Sequence, residues 1–215
     1  MTLPNGDKGV RAGSAAKRAA ILDAARESFV HDGVDRVSMD AIAARAGVSK
    51  RTVYDYFGTK ERLLVGVIEQ AAASLFASLQ GALERNLSDA AGITTAGQLE
   101  DALAAFAIEI GTSIIGSADY ATLFALFLRR PASTDPALAS LETAPEALVS
   151  ERLAHFAAIG LLDAPDPRLA ADHFNALTTL LAYNDQPDPA NADRDRVRRT
   201  MIDGVHAFMR AYATR

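Results

Sequence analysis

Residues 38–64 read SMDAIAARAGVSKRTVYDYFGTKERLL, and glycines divide them into short helical segments. Ser38 is a good N-cap, and Asp40 adds negative charge to the first turn, where the helix dipole favours it. Met39, Ile42, Ala43 and Ala46 recur at helical spacing until Gly47 stops the helix. Only Val48 separates that glycine from Ser49, which caps a further helix from Lys50 to about Phe57. Two helices joined this tightly cross at a steep angle, the geometry of a helix-turn-helix. Gly58 ends the second of them, and Thr59 caps a longer helix carrying Leu63, Leu64, Val67, Ile68, Ala71 and Leu75.

At about 100° per residue, Val53 and Phe57 lie together facing the core, with Tyr56 at their edge. Lys50, Arg51, Thr52, Tyr54 and Asp55 remain on the flanks and outer face. A helix face of that composition can enter a major groove about 12 Å wide and hydrogen-bond to base edges.

Working outward, a first helix runs from about Ser14 to His31, with Ile21, Leu22, Ala25 and Phe29 as its stripe and Gly33 at its end. Residues 1–13 read as a flexible tail, 14–60 as the helix-turn-helix domain and 61–215 as a larger helical domain. In the latter, SDAAGITTAG is a loop. Helices are expected at about 98–115 and 118–130, with a short one near 136–142. Others run from Pro145 to Ile159, from Asp166-Pro167 to Tyr183 and over about 193–212, with NDQPDPANAD as a linker before the last. The fold class is all-α.

The 38–64 stretch resembles the DNA-binding segment of TetR-family transcriptional regulators. The resemblance rests on the Ser38 cap, the Ile42-Ala43 pair, Ala46-Gly47-Val48-Ser49, the Tyr54-x-Tyr56-Phe57 run, Lys60-Glu61 and Leu63-Leu64. ILDAARESFVHDG, residues 21–33, resembles the family's first helix, so the match covers about residues 17–68. The resemblance implies a homodimeric, ligand-responsive repressor that binds a near-palindromic duplex DNA operator. Residues 61–215 would then bind ligand and dimerise, and the helix beginning at Lys60 would couple the effector to DNA. Ser38, Lys60 and Tyr54 are expected to hold phosphates, and Lys50, Arg51 and Thr52 to contact bases, with Ser49 and Asp55 completing the surface. Arg51 and Asp55 depart from the family, which often has Gly and His there. Four residues apart, they can pair. The pair either reads a G·C-containing step, Arg51 on guanine and Asp55 on a cytosine amino group, or Asp55 only steers Arg51 or is solvated.

The resemblance also implies a distal effector pocket for a small apolar or amphipathic molecule. Phe106, Ile110, Ile114, Phe124, Phe127 and Phe156 supply apolar surface, and Thr112, Tyr120, His155 and Asn175 possible polar anchors, unless these residues are simply core. The last two long helices would form a dimer interface through Leu169, Phe174, Leu177 and Leu181 on one and Val197, Met201, Val205 and Phe208 on the other.

The formal net charge of −5 is unevenly spread: 11 Lys/Arg against 8 Asp/Glu up to Arg62, then 11 against 19. Phosphate binding depends on the local basic surface rather than the total. The absence of cysteine excludes disulfides and thiol-ligated zinc. No apolar run reaches the roughly 18 residues of a membrane span, so no membrane partner is expected and the cytoplasm is the default location. His31, His155, His173 and His206 are scattered, and no phosphate loop, dinucleotide fingerprint or nucleophile elbow is present; neither cofactor, metal nor catalysis is expected. The competing reading is an all-helical small-molecule binding protein whose N-terminal helix pair is structural.

Overall fold

The computed structural model describes the backbone of residues 6–114, 117–127, 136–186 and 191–214. The chain is all-α. Its helices are α1 (Gly6–Asp32), α2 (Met39–Arg45), α3 (Lys50–Phe57), α4 (Lys60–Leu87), α5 (Ala96–Glu109), α6 (Ala118–Phe127), α7 (Pro136–Ala158), α8 (Pro167–Asn175), α9 (Leu181–Asp185) and α10 (Arg194–Tyr212). They fall into two compact units whose boundary lies within α4, after Ala71; the first unit also takes in α6 from Thr122. The sequence placed the boundary at residue 60.

In the first unit the predicted caps form. The Ser38 hydroxyl accepts from the Ala41 N–H at 3.2 Å and the Ser49 hydroxyl from the Thr52 N–H at 3.1 Å. Gly47 and Gly58 take φ of 66° and 71°, a left-handed region that a Cβ disfavours, so these turns need glycine. Ile21, Leu22, Ala25, Phe29, Ile42, Val53, Phe57, Leu63 and Leu64 are buried as the core. At Gly66 an added Cβ would lie 3.2 Å from both Leu22 and Phe57, so α4 approaches α1 and α3 closely. By length and composition α4 could cross a membrane. Within the first unit, however, its apolar face is occupied: Leu63, Leu64, Val67, Ile68 and Ala71 are all buried. The helix α1 starts at Gly6 rather than Ser14. Each glycine costs a helix only about 1 kcal/mol relative to alanine, too little to stop one already formed.

In the second unit, Thr95 and Gln98 make a reciprocal capping box, so α5 begins at Ala96. The expected helices near 136–142 and from Pro145 are one helix, α7, with Pro145 inside it. The segment from Pro167 is helical to Asp185 but contains a π-helical stretch, Ala176–Leu180; another, Ile110–Ile114, follows α5. Phe106, Phe174, Phe208 and Tyr212 form a chain of ring contacts at centroid distances of 6.1, 5.3 and 4.7 Å.

This packing corrects the expected dimer residues. Val197, Met201, Val205, Phe208 and Phe174 are at most 5% exposed and belong to this chain's own core. The strongest apolar stripe of α10 is consumed by α5, α8 and the second π-helical stretch. Leu169 and Leu181 remain about half exposed, joined by Leu180, while Leu177 packs partly against the core.

Candidate nucleic-acid interface and effector cavity

The outer face of α3 is built on Val53 and Phe57, 0% and 7% exposed. Contacts at Tyr56 and at Phe57 tie the helix to α1. The Tyr56 hydroxyl donates to the Ser14 carbonyl at 3.1 Å, and the Arg18 guanidinium lies 5.5 Å from the Phe57 ring centroid. Sequence reasoning missed Ser14 and Arg18, because nothing local relates them to residues some forty positions away.

On the exposed side, the Lys50 ammonium is 2.8 Å from an Asp40 carboxylate oxygen and 6.0 Å from the centre of the Tyr54 ring. The hydrogen bond to Asp40 raises its pKa, so Lys50 stays charged. The Arg51 side chain is 90% exposed, and its Nε is 3.7 Å from Asp55, so the expected i,i+4 pair forms. Such a pair is weak, which leaves both groups free to exchange partners. The Thr52 and Ser49 hydroxyls are 2.8 Å apart, and Tyr54 is 44% exposed.

Behind this face an open groove of about 540 Å³ runs between the start of α2, the end of α3 and the start of α4. Ser38, Tyr54, Thr59, Lys60 and Glu61 are among its lining residues, so the three residues expected at phosphates share one groove. Within it, Glu61 is held below the usual carboxylate pKa by its own backbone N–H and then by Thr59.

Lys60 does not present its charge as expected. Its ammonium donates to the carbonyls of Val34, Asp35 and Val37 at 3.0, 3.4 and 3.2 Å. A lysine has three N–H donors. All three point back at the loop before Ser38, so here the side chain holds that loop, and its expected phosphate contact would require it to exchange partners.

The second unit contains a cavity of about 260 Å³ between α4, α5, α7, α8 and the second π-helical stretch. Of the expected pocket residues, Phe106, Ile110 and Asn175 line it. So does Phe174, which was expected at a dimer interface. Leu79, Val149, Glu146, Thr178 and Thr179 were missed, Glu146 because the helix seemed to begin only one residue before it. Four expected residues lie off this wall. The Thr112 hydroxyl donates to the Ile108 carbonyl at 2.7 Å. Tyr120 is half-buried against the core, and burial raises its pKa. His155 sits 3.5 Å from Asp89 at the surface, and Phe156 is core beneath the Arg152 guanidinium. The side chains of Ile114, Phe124 and Phe127 lie outside the described residues.

Residues 21–67 match the family described as bacterial regulatory proteins, tetR family. The HTH-type transcriptional activator FasR of Mycolicibacterium smegmatis is 39% identical over 67 residues, 31% of each chain. The chain thus spans about a third of the length of the curated relatives it matches. A TetR-family regulator from Mesorhizobium loti superposes with a TM-score of 0.77 at 22% identity, over 94% of this chain and 98% of that one. The flavonoid-responsive regulator FrrA gives 0.63 at 27% identity, over 93% and 98%. The match through the caps, turn and core of residues 21–67 shows that this N-terminal segment is of the tetR-family type, and it is joined to an all-α fold shared with that Mesorhizobium loti structure.

Proposed function

We propose that this protein is a ligand-responsive, DNA-binding transcriptional regulator that acts in the cytoplasm as a homodimer on a near-palindromic operator. The observation that carries the reading is the α3 surface. Lys50, Arg51 and Tyr54 are exposed on a helix whose opposite face is fully anchored by Val53 and Phe57. Thr52 and Arg51 face bases, Ser38, Ser49 and Tyr54 sit at the backbone, and Asp55 directs Arg51. Half-exposed Leu169, Leu180 and Leu181 favour association of two copies through the α8–α9 face. Two-fold symmetry would put recognition helices about 34–36 Å apart, one turn of DNA. FasR is named an activator, the TetR protein of Mycobacteroides abscessus a repressor and FrrA flavonoid-responsive, so relatives work in both directions and one answers a small molecule. Repression by ligand-sensitive release is the mechanism we favour, with the cavity as effector site. The helix α4 contributes residues to both units and is the natural coupling element.

The test is a fluorescence-anisotropy titration of full-length protein on duplex DNA recovered from a random pool. Binding should weaken by about 10³-fold or more between about 50 and 200 mM salt, as expected for several phosphate contacts. Absent or salt-insensitive binding would leave an all-helical small-molecule binder.

A further inference from the structure

We infer that the cavity of the second unit admits a compact aromatic amphiphile whose polar end is a hydrogen-bond donor, neutral or cationic, and rejects carboxylates. This rests on the reading of that cavity as the effector site and names its ligand class.

Size comes first. At about 260 Å³ the space is slightly below the roughly 300–1,000 Å³ of ordinary ligand pockets, so it suits one or two fused rings rather than a long chain. Its apolar wall includes Phe106 and Phe174, stacked at 6.1 Å and 28°, which present aromatic surface to a flat guest.

Charge selects further. Glu146 is the only ionisable residue in the described lining. Its Oε2 is bound by Arg168, which also reaches Asp172 at 3.4 Å, so this arginine is shared between two carboxylates and the trio carries a net negative charge. A carboxylate guest would be dehydrated beside Glu146 with no cation left to receive it. A donor faces the opposite situation. Among the described residues the second Glu146 oxygen and the side chains of Asn175 and Thr179 have no hydrogen-bond partner, and the Thr178 hydroxyl, donating to the Phe174 carbonyl at 2.6 Å, still offers lone pairs. The wall therefore holds one acceptor-only group, the Glu146 carboxylate, beside neutral groups that can donate or accept, and has no positive charge of its own.

Calorimetric titration of the full-length protein, without DNA, tests this with one ring skeleton bearing three head groups: 2-naphthol, 2-(aminomethyl)naphthalene and 2-naphthoate. The first two should bind, and naphthoate should be weaker by about ten-fold or more. Glu146→Gln should weaken the amine by about ten-fold and narrow the gap to naphthoate, while Asn175→Ala, at an exposed position, should weaken naphthol. Naphthoate binding as well as the others, no binding by any probe, or indifference to both substitutions would overturn the inference. Because DNA is absent from the cell, each of those outcomes leaves the DNA-binding reading standing, and loss of DNA binding elsewhere leaves this one standing.

Discussion

Lys60→Met should reduce affinity for every DNA sequence by about ten-fold while leaving the slope of log K against log salt unchanged. Methionine keeps most of the stem and removes the ammonium. Three carbonyls, of Val34, Asp35 and Val37, then lose their donor. Hydrogen bonds from a charged group contribute about 1.5–3 kcal/mol each when buried. These are only partly buried, and water can replace some of them, so a total of about 2–4 kcal/mol is the reasonable scale. Val37 adjoins Ser38, the cap of α2, so the loop that loosens is the one that positions the groove. A lysine bound to a phosphate would behave differently: its loss would remove about 0.9 per protomer, about 1.8 for the dimer, from the salt slope and scarcely touch thermal stability. The measurement is a pair of salt titrations with melting curves. An unchanged slope with a lowered melting temperature supports the clamp; a reduced slope with an unchanged melting temperature contradicts it.

Gly204→Ala should destabilise the second unit by about 3 kcal/mol or more. The added Cβ would lie 2.1 Å from the Leu177 carbonyl oxygen and 2.8 Å from its carbon. Both are backbone atoms within a π-helical stretch, so no side-chain rotation relieves the clash and α10 must move away. That cost exceeds the roughly 1 kcal/mol that alanine gains over glycine in a helix. In a chain of this size it corresponds to a fall of about 6–12 °C in the unit's melting temperature. Gly111→Ala is the control. Its Cβ would meet the Met201 Cε at 2.6 Å and Val197 at 2.9 Å, side-chain atoms, the first at the end of a flexible chain. It should cost less than half as much. Equal melting of Gly204→Ala and wild type would refute the close approach of α10.

Local chemistry was legible in the sequence wherever it decides local structure. Ser38, Gly47, Ser49 and Gly58 are capping and turn residues whose side chains, or lack of one, act within a few positions. The two short helices therefore appear with their expected caps and stops. Burial of Val53 and Phe57 followed from helical spacing. What spacing cannot say is against which surface an apolar stripe is buried. Val197, Met201, Val205 and Phe208 were correctly apolar and correctly on one face, yet that face meets this chain's own α5 and α8. Leu169 and Leu181 were named from the same pattern, but only subtraction of the core separates them, with Leu180, from the buried residues of that pattern. The carbonyl partners of Lys60 were not legible for a related reason, since they lie over twenty residues away and carry no side-chain signature. In the cavity, Glu146 and Thr178 owe their positions to a helix running through Pro145 and to a π-helical stretch, irregularities that a regular 3.6-residue pattern does not reveal.

The central claim is that the outer face of α3 reads duplex DNA, and selection from a random duplex pool by wild type and by Arg51→Ala tests it most directly. Wild type should recover an inverted repeat with half-sites about one helical turn apart, and Arg51→Ala should recover the same repeat with preference lost at a single base pair of each half-site, a change of about 1–3 kcal/mol there. Recovery of identical preferences by both proteins, or of no common sequence by either, would contradict it.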